Sequence, residues 1–288
     1  MKKLALFAAI LFKTFTSSAA TASDAITIQL IRSATVKVHY QHVTLLVDPI
    51  LGDKGTEPPI FFSNDVPNPT IDLPFSREQV IKDVNAVLLT HYHPDHFDEA
   101  AEKFLPKDML IFCQPGEDKK LQEKGFTNTR VIDSSLTWEG ISITRFRASH
   151  HQGANGAPPF GESSSYYLKT KEASVFFTGD AILDERLKAS LNATHPPVVI
   201  ANTGQCHFTK ENPVLAPGIP MTLTAEELKS ITQLLPATKV VAVHMDGINH
   251  CSLTKSELRK YIAEEQLGSR IVVPGEGEIL RYSQLVKK

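Results

Sequence analysis

The stretch THYHPDHFD, Thr90 to Asp98, constrains this chain more than any other. It sets His91, His93, Asp95 and His96 within six residues directly after the apolar run AVLLT at 86–90. A short run with no polar alternation is a strand buried on both faces, so the fold must place a layer on each side of it. Polar clusters at the carboxyl ends of such strands are where α/β folds hold ligands, because the strand is rigid and the following loop is free to vary. On an extended backbone His91 and His93 alternate, so both imidazoles project to the same side. Pro94 then breaks the strand, and Asp95 and His96 are expected to start a helix and turn toward a second position a few Å away. Imidazole and carboxylate together suit Zn2+, Mn2+, Fe2+ or Ni2+, and two such cations about 3.5–4 Å apart form a hydrolytic pair.

Three further strand-like runs end in metal-capable side chains. ITRFRAS leads to His150 and His151, VFFTG to Asp180, and VVAV to His244. Only one of the adjacent pair His150 and His151 can project from its strand end into a shared site. A meander of three strands opens the chain, at 26–32, 35–40 and 43–48, the last ending in Asp48. Strand-like and helix-like segments then alternate: strands at 109–113, 141–148, 165–170, 173–178, 197–202, 240–244, 271–273 and 278–283, and helices near 117–124 and 183–190. Capping-box patterns at Ser76-Arg-Glu-Gln79, Thr224-Ala-Glu-Glu227 and Thr254-Lys-Ser-Glu257 mark three more helix starts. Two strand-rich halves with helices interspersed point to sheets packed on each other with helices outside. No repeat or linker divides residues 23–288, which are read as a single domain.

The ordered set HxHxDH, distant His, distant Asp and final His resembles the metallo-β-lactamase fold superfamily. The agreement in order and strand-end placement runs over nearly the whole chain after the leader. The opening LIRSATVKV…TLLVDPIL and the ending VVAVHMDGINHC resemble most closely a broad branch of bacterial hydrolases with lactonase-like members. The resemblance implies an α/β fold of αββα type, two mixed sheets face to face with helices outside. It implies one metal ion held by His91, His93 and His150, a second held by Asp95, His96 and His244, and Asp180 bridging the two. The pattern of a histidine just before a glycine-containing loop favours His150 over His151 in RASHHQG. Two Zn2+ ions per chain are the expected cofactor, with Mn2+, Fe2+ or Ni2+ as alternatives, and Asp95 the expected catalytic carboxylate. Asp48 would orient a ligand histidine; its alternative is a turn-forming Asp before Pro49.

Other residues are less determined by pattern. His250 and Cys251 follow His244 closely and are read either as groups bordering the site or as a buried structural pair. Cys206 and His207, after the strand PVVIAN, sit at another strand end and are candidates to line the pocket. His39, His42 and His195 belong to no constellation and are expected at the surface or in turns. The Pro-rich segment 51–75 and the loops at 152–164 and 203–223 would form the rim that selects a substrate, with Phe61 and Phe62 either covering the pocket or tucked onto the core. No GxSxG elbow, GxxxxGK[ST] or GxGxxG occurs in the required context, so a serine hydrolase and a nucleotide cofactor are not indicated.

The N-terminus pairs Lys2 and Lys3 with the apolar run Leu4–Phe12 and small residues up to Ala22. This is read as a secretory signal peptide over residues 1–22, implying a periplasmic or secreted protein without stable membrane insertion, since nine apolar residues fall short of the ~20 a bilayer needs. Its removal takes away Lys2, Lys3 and Lys13 and no acid, moving the net charge from −2 to −5. A mildly acidic chain is a poor platform for phosphate backbones, so a small molecule rather than nucleic acid is the expected partner. The three cysteines, Cys113, Cys206 and Cys251, permit one disulfide and leave at least one thiol. The expected activity is metal-dependent hydrolysis of an ester, lactone, amide or phosphodiester. A non-catalytic sensor on the same fold is disfavoured because all seven ligand positions are filled. An iron-dependent redox enzyme is disfavoured because no flavin or paired-CxxC module accompanies the site.

Overall fold

The computed structural model describes residues 25–40, 42–151 and 160–283. The signal-peptide expectation for 1–22, and 152–159 of the predicted rim loop, lie outside them.

The opening meander forms as expected: β1 (Ala25–Arg32), β2 (Thr35–Tyr40) and β3 (Val43–Val47) pair antiparallel. The chain then passes through α1 (Arg77–Ile81), β4 (Ala86–Leu88), α2 (Glu99–Phe104), β5 (Leu110–Cys113), α3 (Asp118–Glu123) and β6 (Thr129–Val131), and β3 to β6 pair parallel. The second half repeats the sense of the first. β7 (Ser135–Trp138), β8 (Ile141–Ala148), β9 (Ser163–Lys169) and β10 (Ser174–Phe177) are antiparallel; α4 (Glu185–Thr194), β11 (Val198–Asn202), α5 (Ala225–Leu234), β12 (Lys239–Val243), α6 (Lys255–Glu264) and β13 (Ile271–Val272) complete a parallel edge. Strand β14 (Ile279–Ser283) returns to pair antiparallel with β1. Two seven-stranded mixed sheets result, in the orders β14-β1-β2-β3-β4-β5-β6 and β13-β12-β11-β10-β9-β8-β7.

Alternation along each strand assembles the layers. Leu45, Val47, Ala86, Leu88 and Phe112 of one sheet share a core with Tyr166, Val175, Phe177, Ile200 and Val243 of the other. Their neighbours point outward. Leu46, Val87, Leu89 and Ile111 pack under Val80, Ala101 and Leu121 of the first three helices, while Phe176, Val199, Ala201 and Val240 pack under Leu187, Leu228, Ile231 and Leu258 of the last three. Each fully buried Leu or Ile contributes about 1.5–3 kcal/mol by leaving water. With helices on both outer faces this is the αββα sandwich, and it explains why the parallel strands read as unbroken apolar runs.

All three capping boxes are present, with Ser76, Thr224 and Thr254 each accepting from the backbone N–H three residues on and each reciprocated by Gln79, Glu227 or Glu257. One local expectation is corrected. Asp95 and His96 do not open a helix: the backbone N–H groups of His96 and Phe97 both bond the His93 carbonyl in a tight turn, and α2 begins only at Glu99, capped by the Asp98 carboxylate on Ala101 N–H. The short edge strands β6 and β7 went unread because they are half exposed and carry no apolar run.

Candidate metal centre

The ends of β3, β4, β8, β10, β11 and β12 supply the site. His91, His93 and His150 bring one ligating atom each within 4.8 Å of one another, and Asp95, His96, Asp180 and His244 do the same beside them. His91 Nε2 and His150 Nε2 are 3.0 Å apart, and His96 Nε2 and His244 Nε2 3.1 Å. Asp180 lies between the groups, its Oδ2 at 3.2 Å from His96 Nε2 and 3.7 Å from His150 Nε2, its Oδ1 at 3.6 Å from His244 Nε2. Asp95 Oδ2 stands 3.7 Å from His244 Nε2. Ligands around a tetrahedral zinc lie about 3.3 Å from one another. The spacing and chemistry of these seven side chains therefore fit cations. His151 is half-buried and joins neither group.

The nitrogens that face away from the centre are mostly committed, which fixes the ring orientations. His96 Nδ1–H donates to Asp48 Oδ2 at 2.9 Å, since a carboxylate can only accept. Thr90 spends its hydroxyl proton on the same oxygen at 2.7 Å, so His91 Nδ1–H must donate to Thr90 Oγ1 at 3.0 Å. Asp48 thus holds two imidazoles, one directly and one through Thr90, from a backbone with φ of 46°. This is the orienting role rather than a turn-forming one. His93 Nε2–H donates to the Phe160 carbonyl at 3.1 Å. The outward Nδ1 of His244 faces sulfur: Cys251 Sγ at 3.3 Å and Cys206 Sγ at 3.7 Å, joined in a disulfide, while Cys113 remains a buried thiol. Asn202 Nδ2 donates to Asp180 Oδ1 at 2.7 Å. Gly179, at φ +56°, lets the backbone just before Asp180 pass against Ser164, because a Cβ there would lie 2.4 Å from the Ser164 carbonyl oxygen.

Burial pushes the imidazole pKa values of His91, His93 and His150 down, the last to about 3, and neighbouring imidazoles add to this. These three therefore present neutral lone pairs. His96 goes the other way: burial opposes its charge, but Asp180, Asp48 and Asp95 together outweigh it and raise its pKa well above the usual value. Burial would raise Asp180 and Asp95, yet His96 and His244 keep both carboxyls below their ordinary range, with His250 acting on Asp95 as well. The centre thus offers the lone pairs of three neutral imidazoles and the negative charge of two carboxylates.

Thr90 and Asn202 were missed at the sequence level. Each is the polar last residue of an apolar run, AVLLT and PVVIAN, and that is the signal that could have found them. His250 borders the site, its Nε2 at 3.8 Å from Asp95 Oδ2. Cys206 is buried beneath the site and not on the pocket wall, and His207 bonds Gln205 and Ser252 instead. His39 and His42 are exposed and His195 ends α4 in a left-handed turn.

Above the centre opens a cavity of about 690 Å³. Its walls are mainly apolar, with Ile60, Phe61, Phe62, Phe160, Phe208, Met221 and Ile248 beside a charged edge at Glu57, Glu99, Glu102 and Lys124, and its floor is polar, with His93, Asp95, His150, Asp180 and His250. The segment 51–75 does reach the pocket, and Phe61 and Phe62 belong to its wall.

The family model of the beta-lactamase superfamily domain matches residues 44–245, a span that runs from β3 to just past His244. The chain belongs to the beta-lactamase superfamily. Within it, the chain is 30% identical over 252 residues to the UPF0173 protein YddR of Bacillus subtilis, covering 86% of this chain and 96% of that one. It is 23% identical to the UPF0173 metal-dependent hydrolase PH1671 of Pyrococcus horikoshii, over 72% of this chain and 85% of the relative. Among solved structures it is similar to the isothiocyanate hydrolase from Delia radicum gut bacteria, with a TM-score of 0.81 and 30% identity, over 89% of this chain and 99% of that one. This superfamily member is a metal-dependent hydrolase.

Asp48→Ala should cost about 10–100-fold in metal affinity, because His96 loses its direct anchor and Thr90 its acceptor. Competition against a fluorescent chelator checks this; unchanged affinity would show that the rings are held by packing alone.

Proposed function

We propose that the chain hydrolyses a small, uncharged molecule with an apolar body, and that an isothiocyanate is the first substrate to try. The observation that carries this is the mainly apolar cavity whose floor is formed by four of the seven residues of the centre, His93, Asp95, His150 and Asp180. The relative that hydrolyses isothiocyanates is 30% identical across nearly all of its own length. Phosphodiesters fit less well: the one lining lysine, Lys124, is paired with the Glu102 carboxylate at 2.8 Å.

His91, His93 and His150 would hold one cation and Asp95, His96 and His244 a second, with Asp180 reaching both. Such a pair lowers the pKa of water near neutrality and polarises the atom under attack. Asp95, on the pocket floor, would take the two protons of the attacking water in turn and pass each to the leaving nitrogen. For an isothiocyanate the balance is R–N=C=S + H2O → R–NH2 + COS: the water oxygen adds to the central carbon, the carbon–nitrogen bond breaks, and both protons end on nitrogen. The apolar walls hold R and exclude bulk water. Zn2+ is the proposed metal, and the chain is proposed to act outside the cytoplasm after loss of residues 1–22, a setting in which the Cys206–Cys251 disulfide persists.

The test is a panel of benzyl isothiocyanate, an aryl ester, a lactone, a β-lactam and a phosphodiester, with metal counted by mass spectrometry. Turnover of the isothiocyanate that vanishes with chelator and returns with Zn2+ is expected. Chelator-insensitive turnover would overturn the metal reading, and preference for the phosphodiester would overturn the substrate reading.

A further inference from the structure

A substrate lying on this floor needs a hydrogen-bond donor where negative charge develops, and the described lining side chains have nearly all spent theirs. His93 gives Nε2–H to the Phe160 carbonyl. Asn68 gives Nδ2–H to the Pro58 carbonyl and Asn249 Oδ1, Tyr92 gives its hydroxyl to Glu102, and Lys124 is an exposed ammonium paired with the same carboxylate. His150 also leaves Nδ1 unbonded, but its ring belongs to the histidine group of the metal centre; His250 belongs to neither ligand group of that centre. Its ring is buried, Nδ1 has no hydrogen-bond partner, and Nε2 faces Asp95 Oδ2 at 3.8 Å, beyond hydrogen-bond length. Among the described residues neither nitrogen is bonded, although buried polar groups in folded proteins nearly always are.

The ring is also rigidly presented. The next residue, Cys251, is tied to Cys206 by the disulfide, and its N–H bonds the Ile248 carbonyl at 3.2 Å. The His250 carbonyl accepts from His207 N–H at 2.9 Å. The preceding Asn249 is fixed by Asn68 and by the backbone of the Pro-rich segment. A fixed imidazole with an unspent donor, beside the floor carboxylate of a substrate cavity, is a preorganised dipole for the reaction.

Building on the hydrolase reading, we infer that Nε2–H of His250, the nitrogen beside Asp95, donates to the substrate nitrogen as the carbon–nitrogen bond of the isothiocyanate breaks. It stays neutral throughout: both protons that move come by way of Asp95, and His250 stabilises the charge that the nitrogen gathers first. Loss of one such donor typically lowers kcat by about 10²–10³-fold.

The experiment compares His250→Phe, which keeps a ring without a donor, with His250→Gln, which keeps an N–H donor. kcat and KM for benzyl isothiocyanate, metal content and melting temperature are measured for the full chain. In His250→Phe, kcat should fall about a hundredfold or more, with KM within a few-fold and two ions retained. His250→Gln should recover at least about tenfold of that loss. Wild-type kcat in His250→Phe overturns the inference, and so does loss of a metal ion, which would make the ring a ligand. If His250→Phe does not fold, His250→Leu against His250→Gln carries the same comparison, and equal kcat in the two overturns it. A wild-type chain that turns over no panel member would remove the hydrolase reading, and this inference with it; wild-type turnover with an unaffected variant removes the inference alone.

Discussion

On the two-ion reading proposed above, Asp180→Ala is expected to lose at least one ion and to lower hydrolysis by about a thousandfold or more. Among the described residues, Asp180 alone puts a carboxylate within 3.7 Å of nitrogens from both histidine groups, His150 on one side and His96 and His244 on the other. Asn202 pins Oδ1, so the carboxylate cannot swing to favour one group. Without it, two positive ions would face each other across a floor that has lost a unit of negative charge. Metal-assisted charge stabilisation supplies several kcal/mol of the barrier reduction, and each 1.36 kcal/mol is tenfold in rate. The metal-free variant should still fold, because burial alone disfavours the Asp180 carboxylate and His96 keeps Asp48 as a partner. Mass spectrometry of metal content and a turnover assay on the folded variant check both parts. Two ions and wild-type turnover would remove Asp180 from the centre.

Much of this arrangement could be read from the chain because each contributing strand advertises its end. AVLLT, VFFTG and VVAV are short apolar runs stopped by a polar residue, and alternation brings His91, Asp180 and His244 to one rim of the sandwich. Asp48 was legible for the same reason. Thr90 and Asn202 were not, because a threonine or asparagine at a strand end has many roles, and only the observed bonds to Asp48 and Asp180 select one. The turn at Asp95 and His96 was misjudged for a physical reason as well. A proline followed by polar residues suits a helix start, but the His93 carbonyl captures two N–H groups at once and delays the helix to Glu99. The pairing of Cys206 with Cys251 rests on the convergence of loops 45 residues apart, which spacing does not encode.

Arg32→Met should destabilise the chain by about 3–5 kcal/mol and lower its melting temperature by about 10 °C. Arg32 is wholly buried at the end of β1, the largest such side chain among the described residues. Its guanidinium donates to the carbonyls of Ile71 at 3.0 Å, Ile50 at 3.0 Å and Gly52 at 2.8 Å. Burial lowers its pKa to about 10, partly offset by Asp98, Asp53 and Asp72, so it remains charged near neutrality. Asp98 holds the same turn from the other side, accepting from Leu51 N–H at 3.1 Å and Gly52 N–H at 2.7 Å while capping α2. The two residues therefore fasten the root of the segment 51–75 to the turn that carries Asp95 and His96. Methionine preserves the bulk but leaves three buried carbonyls without their donor, each costing about 1–3 kcal/mol before relaxation. Because the tip of the same segment carries Phe61 and Phe62, the variant should also show a raised KM for an apolar substrate, with kcat less affected, since no ligand position moves. A melt within about 2 °C of wild type would mean that solvent replaces the guanidinium at little cost. The Pro-rich segment would then owe its place to the Asn249 contacts with Ile60, Asn64 and Asn68 instead.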